Sequence, residues 1–210
     1  MKSPAVFLDR DGVVIKNVPN MCNMKKLKIF ASTAKAVKML KESGFLVIIV
    51  TNQPQIAKGF CTERTVRRIN KKIIDDLAKK GAVIDWVYYC PHHPEKGFPG
   101  EIARYKIICS CRKPKIGMLE KAKKRFGIDM SRSFIVGDST TDIRTGKNAA
   151  GRYPGFRSVL VKTGLAGKDG VFEAKPDFSV GNVLNAAELI RSLSDREERR
   201  VIRVIKSKVN

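Results

Sequence analysis

The chain has 210 residues, 43% of them hydrophobic, with 42 Lys+Arg against 20 Asp+Glu for a net charge of +22. The apolar content excludes a disordered chain, and the length suits one sizeable domain with a real core. The longest strongly apolar run, residues 45–50, is far too short to span a membrane, and residues 1–9 lack the apolar stretch of a signal peptide. A soluble, cytoplasmic protein is expected. The charge favours anionic partners: nucleic acid, an acidic membrane or phosphorylated small molecules. It is spread along the chain and denser only over residues 196–208, as a solvated surface would be, so nucleic acid is the less favoured partner.

A short apolar run at 5–8 reads as a first buried strand, ending in Asp9 and Asp11 with Gly12 as a turn. Residues 14–30 are basic and irregular. Ser32 is a candidate N-cap for a helix that buries Ala34, Val37 and Leu40 and stops at Gly44. The run 45–50 is continuous enough for a strand covered on both faces, and it leads directly into Thr51-Asn52-Gln53-Pro54. Thr62 opens a helix carrying Val66, Ile69, Ile73 and Leu77 at helical spacing, ended by Gly81. A third strand follows at 84–89.

Residues 90–113 show no regular pattern and carry prolines, glycines, cysteines and histidines, as functional loops of this length do. Pro114 precedes a helix with Ile116, Leu119, Ala122 and Phe126, closed by Gly127. A fourth strand at 133–136 ends in Gly137-Asp138-Ser139-Thr140-Thr141-Asp142, and a helix continues to about Ala149. Strands at 158–161 and 178–180 and a helix at 183–193 complete the regular pattern. Residues 194–210 read as a final basic amphipathic helix, striped by Val201, Val204 and Ile205, or as a tail.

Such strand–helix alternation means an α/β fold with a mainly parallel sheet. Right-handed crossovers open successive strand ends on one edge of the sheet, so a single cleft can collect Asp9, Asp11, Thr51, Asn52, Asp138 and Asp142. Close carboxylates need a cation between them, and oxygen ligands on strand-end loops suit Mg²⁺. An Asp can accept a phosphoryl group, while Lys and Thr donors hold its oxygens. Thr145-Gly146-Lys147 lacks the upstream glycine of a nucleotide-binding P-loop.

Four segments in order, Asp9-Arg10-Asp11-Gly12-Val13, Thr51-Asn52-Gln53, Lys113 and Gly137-Asp138-Ser139-Thr140-Thr141-Asp142, resemble the motifs of the haloacid dehalogenase superfamily of phosphotransferases. Two further stretches narrow the resemblance. Ile56-Ala57-Lys58-Gly59-Phe60 after the second motif, and Cys90-Pro91-His92-His93-Pro94 with Cys109-Ser110-Cys111-Arg112-Lys113-Pro114, are similar to the D-glycero-D-manno-heptose 1,7-bisphosphate phosphatases. Histidinol-phosphate phosphatases are close relatives with the same layout.

The resemblance implies a Rossmann-like parallel sheet with helices on both faces, no large cap domain and a zinc-stapled loop. It implies Asp9 as nucleophile and Asp11 as acid and then base. Mg²⁺ would be bound by Asp9, the Asp11 carbonyl and Asp138, with Asp142 supporting the metal's waters. Thr51 and Lys113 would hold the phosphoryl group, and Asn52, Gln53 and Arg112 would bind substrate. Cys90, His92, Cys109 and Cys111 supply three thiolates and one imidazole, the ligand set of a closed zinc site. His93 competes for the imidazole position, and the family pattern favours His92. Cys22 and Cys61 read as ordinary buried or half-buried thiols.

The expected organisation is one catalytic domain over residues 1–193, with the zinc loop at 90–111 inserted and a basic helix or tail at 194–210. A monomer acting on a small phosphorylated metabolite is the expectation, and a nucleic-acid 3′-phosphatase is the alternative that the charge suggests. Several positions depart from the family pattern. Ser139 stands where a lysine is usual, Pro54 and Gln55 stand where serine and glycine are, and residues 14–20 differ from the usual substrate segment. Residues 151–156 resemble a small insertion.

Overall fold

A computed structural model describes the backbone of residues 2–209, and their side chains except at 197, 198 and 200–209. The strands β1 (Pro4–Leu8), β2 (Leu46–Asn52), β3 (Trp86–Cys90), β4 (Asp129–Gly137), β5 (Arg157–Val161) and β6 (Phe178–Val180) form one sheet in the order β3-β2-β1-β4-β5-β6. Every pairing is parallel. The helices are α1 (Thr33–Glu42), α2 (Glu63–Ala78), α3 (Gly117–Phe126), α4 (Thr140–Arg152) and α5 (Val183–Val209).

Side chains alternate along each central strand, so the sheet separates two apolar clusters. Val6, Leu8, Val47, Ile49, Phe134 and Val136 face α1, α2 and α5. Ala5, Phe7, Ile48, Val50 and Ile135 face α3 and α4. The result is the three-layer α/β architecture expected from the alternation of strands and helices. Each of these buried Val, Leu, Ile and Phe side chains contributes about 1.5–3 kcal/mol relative to exposure, which makes β1, buried at every residue, the axis of the fold.

The register fixes the site. Leu8 lies opposite Ile49 on β2 and Val136 on β4. The next residue, Asp9, is therefore level with Val50 and Gly137, and its amide donates to the Val136 carbonyl at 2.9 Å. The chain moves from β1 to β2 on one side and later returns to β4 on the other. This reversal of strand order opens a crevice at the carboxyl ends of β1 and β4.

Element boundaries shift in places. Phe45 is buried but lies outside β2, which instead continues through Thr51 and Asn52 because β3 pairs with both. The first helix buries Thr33, Ala36, Val37, Met39 and Leu40, with Ala34 only half-buried, and the Ser32 side chain makes no capping bond. Helix α4 runs on through Gly151 and Arg152, so the segment that resembled an insertion is partly helical. Helix α5 continues into the basic segment, whose stripe at Val201, Val204 and Ile205 falls outside the described side chains. No helix among the described residues is long and apolar enough to cross a membrane.

One correction concerns cysteine. Cys22 and Cys61 are not free thiols but a disulfide pair, with Cα atoms 5.8 Å apart and a sequence separation of 39. The loop after β1 folds back against the turn before α2, and that fold-back brings the two together. A count of five cysteines carries no trace of it.

Candidate active site

The crevice holds a cavity of about 320 Å³ lined by the expected carboxylates together with residues 17–21 and a loop carrying Leu165, Asp169 and Val171. Lys113 is at its centre. Its ammonium is buried and donates to Asp9 Oδ1 at 2.6 Å, Asp142 Oδ1 at 2.5 Å and the Val50 carbonyl at 3.0 Å. Burial acts to lower the pKa of this ammonium, but the carboxylates of Asp142 and Asp9 overturn that and raise it. The Lys113–Pro114 peptide is cis. Asn52 fixes this segment from β2: its side-chain amide donates to the Lys113 carbonyl and its oxygen accepts from the Lys113 amide, each at 3.0 Å. Asn52 was expected to bind substrate, and its amide is committed to the main chain of Lys113.

Asp9, Asp138 and Asp142 place one oxygen each within 4.8 Å of one another, a spacing that could hold a metal ion. Burial pushes the Asp9 carboxyl up to about 8, against the pull of Lys113 and with the help of Asp142, Asp11 and Asp138. Burial also pushes Asp138 up to about 7, against the Leu165 amide that donates to its Oδ2 at 2.7 Å. Crowded buried acids with one ammonium among them are undercompensated, and a hard divalent cation such as Mg²⁺ fits this oxygen donor set. Asp142 sits in the first turn of α4 within a capping box, where Oδ2 accepts from the Ser139 hydroxyl at 2.6 Å.

Asp11 is held from two sides. Gln53 Nε2 donates to its Oδ2 at 2.9 Å and to Thr51 Oγ1 at 2.9 Å. Gln55 donates to the Gln53 side-chain oxygen, which turns the Gln53 amide nitrogen towards Asp11. The unusual Gln55 is thus part of the scaffold of the second motif. On the other side is Arg10, which sequence reading passed over as a spacer between two acids.

A second feature missed in the sequence is the loop after β5. Thr163 Oγ1 donates to the Gly12 carbonyl at 2.6 Å, and the Gly167 amide donates to the Asp138 carbonyl at 2.7 Å. Asp169 accepts from the amide and hydroxyl of Thr140, each at 2.7 Å. Gly12 has φ +83°, and a Cβ there would overlap the Asp138 carboxylate. Gly12→Ala should therefore displace Asp138 and weaken Mg²⁺ binding about tenfold or more by calorimetric titration. Parental affinity in that variant would contradict this assignment.

The loop between β3 and α3 gathers Cys90, His92, Cys109 and Cys111. Cys111 Sγ lies 3.2 Å from Cys90 Sγ, 3.3 Å from Cys109 Sγ and 3.4 Å from His92 Nδ1. A tetrahedral zinc ion with bonds of about 2.0–2.3 Å spaces its ligands by roughly 3.5–3.8 Å, so this donor set fits zinc with little adjustment. His93 points elsewhere: its ring centroid is 5.6 Å from that of Phe98, and its Nε2 is 3.5 Å from Glu95. Arg112 donates to the His92 carbonyl at 3.2 Å and does not line the cavity. Cys109→Ser should reduce zinc to well below one ion per chain by elemental analysis and lower Tm by about 5 °C or more. Full zinc content with an unchanged Tm would count against the site.

Comparison with known proteins agrees with this geometry. A HAD-hydrolase-like family model matches residues 110–187. The chain is 40% identical over 156 residues to a D-glycero-β-D-manno-heptose-1,7-bisphosphate 7-phosphatase of Rhodopseudomonas palustris, covering 74% of this chain and 83% of that one. It is 36% identical to the β-anomer enzyme of Pasteurella multocida, covering 90% and 97%. It is also 36% identical to an α-anomer enzyme of Photorhabdus laumondii, covering 78% and 85%. A solved D,D-heptose 1,7-bisphosphate phosphatase from B. bronchiseptica, complexed with magnesium and phosphate, superposes with a TM-score of 0.72 at 28% identity, covering 90% of this chain and 98% of that one. The chain is thus a hydrolase of phosphoric monoesters and belongs to the haloacid dehalogenase-like phosphatases, in the D-glycero-D-manno-heptose-1,7-bisphosphate 7-phosphatase family.

Proposed function

We propose that this chain is a Mg²⁺-dependent cytoplasmic phosphatase that removes the 7-phosphate of D-glycero-D-manno-heptose 1,7-bisphosphate through an aspartyl-phosphate on Asp9. The catalytic unit is a single domain over residues 1–193. The observation that carries the reading is the buried Asp9–Lys113–Asp142 cluster at the crevice between β1 and β4, with Asp138 beside it.

Asp9 gives Oδ1 to Lys113, which leaves Oδ2 to attack phosphorus. As the Asp9 O–P bond forms, the P–O bond to the sugar breaks, and Asp11 gives its proton to the leaving oxygen. Asp11, now a carboxylate, takes a proton from water, whose oxygen attacks phosphorus and releases Asp9. Ester and water become sugar alcohol and inorganic phosphate. Lys113 and the Thr51 hydroxyl hold the phosphoryl oxygens on which charge spreads in the transition state. Asp9, the Asp11 carbonyl and Asp138 would hold Mg²⁺, and Asp142 would support its waters. Bound there, the ion cancels the repulsion between carboxylate and phosphate. Gln53 keeps Asp11 and Thr51 in register.

The relatives named for the α and β anomers leave both as test substrates. Phosphate release with Mg²⁺ should be fastest on one anomer of the heptose bisphosphate, well ahead of histidinol phosphate and a 3′-phosphorylated oligonucleotide. Faster turnover of either of the latter would replace this substrate assignment.

A further inference from the structure

Arg10 has a fully buried side chain, yet the mechanism above gives it no role. Its Nε and Nη2 donate to the two oxygens of Asp11, each at 3.1 Å, and its Nη1 donates to Asn70 Oδ1 at 3.0 Å. Asn70 is itself buried, on the core-facing side of α2. Burying a guanidinium is costly unless its donors are satisfied, and here they are aimed as a two-toothed fork onto one carboxylate. A merely structural position would be filled at less cost by an apolar side chain of similar volume.

We propose that Arg10, anchored by Asn70, is a positioning residue that sets the Asp11 carboxyl for proton transfer to the leaving oxygen and from the hydrolytic water. This rests on the aspartyl-phosphate reading. Asp11 follows a strand end and its side chain remains 21% exposed, open to the cavity, so the main chain alone does not fix its rotamer. Two clamps fix it instead. Gln53 reaches it from the end of β2, and Arg10 reaches it from a rigid helix through Asn70. Arg10 does not touch the phosphoryl group. It acts through Asp11 alone, and that separates it from Lys113.

The test uses leaving groups. An alkyl phosphate needs its departing oxygen protonated, whereas p-nitrophenyl phosphate does not. In both cases the phospho-Asp9 intermediate still needs Asp11 as base. Arg10→Met should therefore lower turnover of the alkyl substrate about 10²-fold with KM changed only a few-fold. With p-nitrophenyl phosphate the same variant should release a rapid burst of one nitrophenolate per active site and then turn over slowly, with phosphate trapped on Asp9. Arg10→Lys, which cannot span both oxygens, should recover only part of the alkyl activity.

If Arg10→Met does not fold, Asn70→Leu leaves the Arg10–Asp11 pair intact. It should show the same pattern with a smaller loss. Equal slowing of both esters without a burst, or parental rates on both, would overturn the positioning role. If the parent protein forms no phospho-Asp9 from p-nitrophenyl phosphate, the aspartyl-phosphate reading itself fails and this inference falls with it.

Discussion

Asp9→Asn should abolish phosphate release, by at least about 10⁴-fold in kcat, while the protein stays folded with a Tm no lower than the parent. The two halves of this expectation have different origins. The loss of activity follows from chemistry: an amide oxygen at this position is too weak a nucleophile to displace an alkoxide from phosphorus. The retention of fold follows from charge. Asp9 is one of several acids crowded at the head of β1, and burial together with Asp142, Asp11 and Asp138 opposes its ionisation. Replacing it with a neutral isostere removes that repulsion. Lys113 is not stranded, because Asp142 Oδ1 and the Val50 carbonyl still accept from it. Thermal unfolding and a steady-state assay on one preparation check both halves. Normal turnover would remove Asp9 as nucleophile. A collapse in Tm would mean that the Asp9–Lys113 pair holds the fold, against the charge argument.

The contrast between Asp9 and Asn52 shows what could be read from the sequence and what could not. Asp9 was legible because a short continuous apolar run ends on it, and because three other strand-end or loop motifs follow in the order that a parallel sheet needs. The same reasoning gathered Thr51 and Asp138 into one cleft, whereas the role of Lys113 came from the family resemblance and the cysteine cluster from its own spacing together with that resemblance. Asn52 carried the same kind of signal, a polar side chain at a strand end, but its amide is taken up by the main chain of Lys113. Sequence reading places such a residue at the cleft and cannot tell whether its hydrogen bonds face the substrate or the scaffold. Arg10 escaped notice for the same reason. Its partner Asn70 is 60 residues away on α2, and nothing local announces the pairing. The disulfide between Cys22 and Cys61 and the loop at Thr163–Asp169 also depend on how crossovers return to the sheet. Patterns of 2 and 3.6 residues fix which face a residue takes. They do not fix which loop lies against which.

Lys113→Met should cost both activity and stability. Turnover should fall about 10²–10³-fold, since a buried ammonium beside the phosphoryl group is among the strongest electrostatic aids available to such a site. Stability should fall by about 3–5 kcal/mol, because removing one partner of a buried ion pair leaves uncompensated charge behind. Here the lysine has two carboxylate partners, Asp9 and Asp142, and both would lose their ammonium. The two costs can be separated. Adding Asp142→Asn to Lys113→Met removes one of the two stranded acids, and the Ser139 hydroxyl can still donate to the amide oxygen that replaces Oδ2. The double variant should regain a substantial part of the lost Tm and none of the lost activity. Recovery of both would mean that Lys113 acts only by balancing Asp142. Recovery of neither would mean that the Lys113–Val50 hydrogen bond and the packing of the lysine stem, rather than the ion pairs, carry its contribution to the fold. The expected split follows from the two roles of one ammonium: it neutralises acids that the folded chain must tolerate, and in the proposed mechanism it holds the phosphoryl group.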